Sequence, residues 1–385
     1  MLDSYDIFDR PRLTLHCLIT LKSPLSHIGE VTGNVSNLKT LKILDLEGNP
    51  RSCFVYSGNA LRNGILRRRG VASALTELGL TVNPDVHHTM FAGGRIDGST
   101  ASNMELDTQI RQLMPWLSVL GTAKPVGVFG SKDAQMVQGR LNVGSAYLVC
   151  YESAAYIFSE FPGVLPPDAL AGLKAFQSAR SALHDDPFIA PSDAAISAYN
   201  QAKSEHLPYL RKVLRSWTEY LAIDQTTRRD STADPNLKAF IAQQPGQMSL
   251  LNGDTKKPEK EKKTDQMIAS DRLIMSGSTL YSRWDLHTTE VETGWIVDTL
   301  LRFAENPYLG GKGNRGNGLC SMEFWYQAGN ERGHFLSLAT GQQSLSDRAT
   351  EAHQAYRSYV DAYQQFLSEA KSSQELRGML GATLQ

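Results

Sequence analysis

The chain has few cysteines, and they are unpaired: Cys17, Cys53, Cys150 and Cys320 are scattered through 385 residues with no CxxC or CxxH spacing. That excludes a zinc ribbon or a disulfide scaffold and leaves reduced, mostly buried thiols. No apolar run reaches the roughly 18 residues of a membrane span, because Glu152 interrupts the most apolar stretch, Tyr147 to Phe158. The first ten residues carry Asp3, Asp6 and Asp9 and no basic n-region, so a cytoplasmic protein is expected. Net charge is nearly absent, 39 Lys+Arg against 40 Asp+Glu, which argues against a wholly polyanion-binding surface but leaves the arrangement of charge open. Catalytic spacing is lacking as well. There is no Gly-x-Ser-x-Gly elbow, and Glu30, Asp45, Asp97 and Asp133 fall in no H-x-x-E or D-x-D pattern, so no catalytic residue, metal or cofactor is expected.

What the chain does have is local asymmetry of charge. Between Ser57 and Val71 stand Arg62, Arg67, Arg68 and Arg69 with no acid, and between Asn306 and Leu319 stand Lys312 and Arg315 with no acid. Three consecutive arginines cannot share one face, which makes Arg62 and Arg67 the candidate ligand contacts and assigns Arg68 and Arg69 to a subunit contact.

Alternation of Leu13, Leu15, Cys17, Ile19 and Leu21 against polar neighbours predicts a half-buried strand over 12–22, broken by Ser23-Pro-Leu-Ser-His-Ile-Gly29. Strand-like runs follow at 40–46 and 52–56. Ser57-Gly58-Asn59 supplies cap-type residues for a helix whose apolar stripe is Leu61, Ile65 and Leu66. A glycine turn, Phe91-Ala-Gly-Gly-Arg95, and a helix near 104–119 precede strand-like sequence at 135–151. After amphipathic helices within 164–222 comes a polar stretch with a Lys/Glu-rich run, read as a solvated loop. A strand at 271–287 changes apolar parity at Gly277, the mark of a bulge. Thr289 and Glu292 form a capping box. The loop Leu309-Gly-Gly-Lys-Gly-Asn-Arg-Gly-Asn-Gly318 then leads into another strand, and Ser344 to Leu376 reads as helical.

Without insertions, this order predicts an α+β, ferredoxin-like (RNA-recognition-like) palm. Gly311-Lys-Gly-Asn-Arg-Gly316 fits G-x-G-x-x-G by letter, but a helix precedes it and a strand follows, the reverse of a dinucleotide site. What remains is an acid-free loop with exposed amides and two cations, suited to a sugar–phosphate backbone.

The segments Ser23 to Gly29, Ser57 to Arg67 and Leu309 to Gly318, in this order, resemble the RAMP superfamily, and more narrowly the repeated backbone subunit of class 1 CRISPR effector complexes. Ile223 to Asp230 and Asp271 to Ser278 are similar to that family's thumb hairpin and the strand after it. The resemblance implies a palm over 1–80, 135–222 and 271–335, fingers over 81–134, a thumb over 223–270 and a C-terminal helical tail over 336–385. It implies guide RNA as the ligand, self-association as a filament, contact with other effector subunits, and target DNA or RNA engaged through the guide. The tail and the Lys/Glu-rich insertion point to a type IV member, which implies a partner helicase, ahead of type I-D and type III-like members. Contacts to RNA are expected from His27, Ser57, Asn59, Arg62, Arg67, Arg95, Arg228, Arg229, Gly311, Lys312, Gly313 and Arg315. Two alternatives stay open: a guide-precursor endoribonuclease using His27 or His16, and a target-cleaving subunit using Glu30, which stands where relatives keep an Asp.

Overall fold

The computed structural model describes residues 8–82, 84–92, 104–124, 135–183, 190–228, 267–368 and 383–384. Strand β1 (Arg12–Leu21) lies at its centre, with Leu15, Cys17 and Ile19 wholly buried as their alternation requires. Chain order and pairing reproduce the expected palm. After β1 come helix α1 (58–77) and, past a helical insertion with the short strands β6 (Leu80–Thr81), β7 (Thr122–Lys124), β8 (Gln135–Val137) and β9 (Leu141–Val143), β10 (Ala146–Leu148). Then follow β13 (Thr279–His287), helix α8 (Glu290–Glu305) and β14 (Cys320–Ala328). The four strands lie in the order β14-β1-β13-β10, every neighbour antiparallel, which is the βαββαβ ferredoxin-like arrangement. The sheet widens at one edge with β4 (Thr40–Leu44) and β5 (Pro50–Tyr56), and at the other with β15 (Glu331–Ala339) and β16 (Gln342–Leu345). Residues 336–345 therefore belong to the palm sheet rather than to the tail, which begins with helix α9 (Asp347–Ser368).

Helix α1 has three parts: Gly58–Leu61, a π-helical stretch Arg62–Val71, and Ala72–Glu77. It lies against α8 so closely that a Cβ on Gly70 would stand 2.7 Å from the Trp295 ring and overlap Thr299. Helix α9 covers the opposite side of α8, where Gly294 leaves room for the Ala352 carbonyl. With neighbours on both sides α8 is buried almost all round, and its Thr289/Glu292 capping box forms as the sequence predicts. Polar contacts also fix α9: His353 to Asp298 at 3.1 Å and Arg357 to Glu77 at 2.6 Å.

The other sheet face carries a second apolar cluster. Helices α5 (Ala154–Glu160), α6 (Pro167–Leu183) and α7 (Asp193–Leu214) pack around Leu173, Phe176, Leu210 and the sheet residue Tyr281. This layer buries His16, whose Nδ1 lies 2.9 Å from the Tyr281 hydroxyl and whose ring stacks on Phe161. Both faces of the palm sheet are thus covered.

Within 81–134, the segment expected as fingers, α2 (Pro84–Ala92), α3 (Met104–Leu113) and α4 (Pro115–Leu120) place Met90, Ile110 and Trp116 in the same core as the palm. The helix expected at 104–119 is divided at Met114, because Pro115 cannot donate a helical N–H and opens α4 instead. A second sheet, β11-β12-β3-β2, joins the thumb strands β11 (Leu221–Arg228) and β12 (Met267–Ile274) to a hairpin of β2 (Ile28–Thr32) and β3 (Val35–Leu38). The parity change at Gly277 is a change of sheet and not a bulge. Gly277 takes φ +83° in the turn between β12, in the thumb sheet, and β13, in the palm. The Lys/Glu-rich run falls outside the described residues.

Candidate nucleic-acid interface

The three sequence segments meet at the end of the palm where β1 and β5 finish and β14 begins. Each side of the junction is joined through the backbone. The Gly318 N–H donates to the Pro24 carbonyl at 2.8 Å, and the Leu319 N–H to the Ser23 hydroxyl at 2.8 Å. The Gly310 N–H donates to the Tyr56 hydroxyl at 2.9 Å, and the Ser57 N–H to His27 Nε2 at 3.2 Å. Glycine is required at two of these places by geometry. Gly310 has φ +80°, and a Cβ there would lie 2.5 Å from the Ser26 carbonyl; Gly318 has φ +94°, and a Cβ there would overlap the Leu309 carbonyl.

His27 is a joint rather than a free ligand. Its ring packs on Tyr56 at 4.4 Å between centroids, and its Nε2 must be unprotonated to accept from Ser57. Burial, with a smaller push from the Lys39 charge, lowers its pKa to about 4. Ser57 caps α1, its hydroxyl accepting from the Ala60 N–H, while Asn59 is exposed one step beyond the cap. Gly58 admits the Val143 carbonyl where a side chain would collide.

The arginines divide differently from the sequence expectation. Arg67 is buried, 4% exposed, and donates to the carbonyls of Met90 at 2.6 Å and Gly121 at 3.0 Å. Burial, aided by the Arg62 charge, lowers its pKa to about 10. It therefore locks the fingers helices to α1 and is not placed to meet RNA. Half-buried Arg62 donates to the Leu120 carbonyl in the same clamp, and burial lowers its pKa too. Arg69 binds the Asn306 carbonyl at 2.7 Å and lies over the Phe303 ring at 4.7 Å, closing the C-terminus of α8. Arg68 alone of the four is exposed. The expectation failed because Arg62–Val71 is π-helical. Its i→i+5 bonds widen each turn, so faces drawn with α-helical spacing assign the wrong residues outward.

The glycine loop is accessible, but its cations are shared with a carboxylate. Gly311 is exposed and Gly313 partly so, and a tight turn spans Gly313–Arg315. Lys312 pairs with Asp271 Oδ1, and Arg315 reaches Asp271 Oδ2 at 3.1 Å. Asp271 is buried on β12, and burial raises its pKa. Hydrogen bonds from Lys312 and Ser36 and the two cationic charges outweigh that and leave it below its ordinary value. The loop is acid-free in sequence but carries a net charge near +1 in space. Sequence order hid this acid because it arrives from the thumb sheet.

Of the remaining expected contacts, Arg228 ends β11 opposite Met267, and Arg95 and Arg229 lie outside the described residues. Glu30 is exposed in β2, paired opposite Asn37, so the segment expected as a loop is a hairpin. Among the described residues no three His, Cys, Asp or Glu side chains come together as a metal site, and no helix is long and apolar enough to cross a membrane.

No family model and no curated protein matches the chain. Among solved structures it is similar to "Crystal structure of Thermofilum pendens Csc2", at 12% identity, covering 97% of this chain and 85% of that one with a TM-score of 0.35. It is also similar to a chain of "Type IV-B CRISPR Complex", at 14% identity, covering 83% of this chain and 92% of that one with a TM-score of 0.43.

Proposed function

We propose that this chain is a guide-RNA-binding backbone subunit of a class 1 CRISPR effector complex, of type IV character, that oligomerises along the guide and does not cut nucleic acid itself. The observation that carries the reading is the junction just described. Three segments from distant parts of the sequence, those with the RAMP resemblance, are tied together at one end of the palm around an exposed glycine loop with Lys312 and Arg315.

Backbone N–H groups and a small positive charge suit phosphate oxygens, which have the same geometry whatever the base. Such a subunit holds its guide without reading it, and base pairing supplies target choice. The contact set is revised accordingly: Gly311, Lys312, Gly313, Arg315 and Asn59 face the RNA, Arg68 joins them, and Ser57, His27 and Arg67 build the platform. Target nucleic acid, further effector subunits and a DNA helicase are the partners this role implies.

The test is co-expression with a CRISPR array, followed by size exclusion with absorbance at 260 and 280 nm. Particles of regular mass carrying RNA of uniform length are expected. A nucleic-acid-free monomer in the presence of the array would overturn the proposal.

A further inference from the structure

At the other end of β1, about 30 Å from the glycine loop at ~3.3 Å per strand residue, the surface forms a second basic hollow. It has a volume of about 480 Å³, and Phe8, Arg10, Arg12, Arg111, Arg140 and His287 line it. Two of these arginines are fixed. Arg140 pairs with Glu292 at 2.7 Å, and Arg111 with Asp107 at 2.7 Å while also donating to the Ser118 hydroxyl and the Gln138 carbonyl. Arg10 and Arg12 are exposed and make no ion pair among the described residues. Asp107 and Glu292 are taken up by the two fixed arginines, and Phe8 stands beside Arg10 and Arg12 72% exposed.

From this juxtaposition we infer that the hollow binds a single-stranded nucleic acid, its phosphates held by Arg10 and Arg12 above the fixed guanidinium floor and a base stacked on Phe8. Guanidinium forks match phosphate oxygens, and an exposed aromatic beside them is the combination that holds unpaired strands without sequence preference. An acidic peptide would use the arginines but gain little from an exposed phenyl ring, which is why the nucleic acid is favoured. The site is separate from the glycine loop and stands whether or not that loop holds a guide.

The experiment uses the full chain carrying Lys312→Ala and Arg315→Ala, so that the glycine loop does not dominate, with fluorescent oligothymidylate and oligouridylate followed by anisotropy over a salt series. Adding Arg10→Ala and Arg12→Ala should flatten the log–log salt dependence by about 1.4, two contacts at ~0.7 each on a single strand. Adding Phe8→Ala should weaken binding about five-fold or more with the slope unchanged, since stacking releases no counterions. Both sets alter exposed side chains, and circular dichroism checks that the fold is kept. An unchanged slope in the arginine variant overturns the inference. So does binding of an aspartate-rich peptide, but of neither oligonucleotide, with the same loss in the variants, which would make the hollow a protein contact.

Discussion

Single residues at the junction act through protonation and charge. The His27–Ser57 bond exists only while the imidazole is neutral, and the folded pKa of about 4 lies below the ordinary 6.5. Between those values the unfolded chain binds more protons at this ring than the folded one, so stability falls as pH falls through that window. Urea titrations between pH 7 and 4 should show this loss, and it should shrink in His27→Gln, which can still accept from Ser57 but does not titrate. Asp271 works in the opposite sense, since its carboxylate orders Lys312 and Arg315 yet repels a phosphate. Asp271→Asn should tighten RNA binding and steepen its salt dependence, whereas Arg315→Ala should weaken binding and reduce the log–log slope by about 0.7; a salt series on the two variants separates these signs. For Arg67→Ala the expected effect is on folding, since buried carbonyls of Met90 and Gly121 lose their donor at a cost of about 2–3 kcal/mol. Chemical denaturation measures it.

At the level of elements, close backbone approach decides how the helices assemble. Gly70 lets α1 settle on α8, and Gly294 lets α9 settle on the far side. Gly294→Ala would drive a methyl into the Ala352 carbonyl, and the cheapest relief is to lift α9, which is held otherwise by the Asp298, His353, Arg357 and Glu77 contacts near its middle. Limited proteolysis should then cut within or before α9 at protease levels that leave the parent chain whole, with the palm core surviving. The glycine loop itself is fixed through backbone bonds at both ends, so the amides proposed to meet phosphate are pre-arranged and the proposed binding would cost little ordering entropy.

For the whole molecule, near-neutral net charge coexists with basic patches at both ends of β1, and the proposed filament needs such unlike faces on one subunit. Guide-loaded complex incubated with labelled complementary RNA and Mg²⁺ or Mn²⁺ should leave that RNA intact. Glu30 is exposed on a hairpin strand opposite Asn37, and the His27 ring is held neutral and turned to Ser57. Evenly spaced cuts abolished by Glu30→Ala would instead assign target cleavage to this chain.

The sequence by itself determined the palm: the alternation of β1, the capping box of α8 and the positions of glycines that accept positive φ are local signals, set by side-chain period and backbone sterics. It also marked the three segments that meet at the junction. Only the tertiary structure decided what their charges do. Arg67 and Arg69 turned out to be occupied by helix-end carbonyls, and the cations of the glycine loop turned out to share Asp271 from another sheet. The hollow at Arg10 and Arg12 was equally hidden, because its lining comes from four separate stretches between Phe8 and His287. Hydrogen-bond donors and charges are satisfied by whichever groups the fold brings near, and that proximity, unlike strand period or helix capping, is not written in the spacing of residues along the chain.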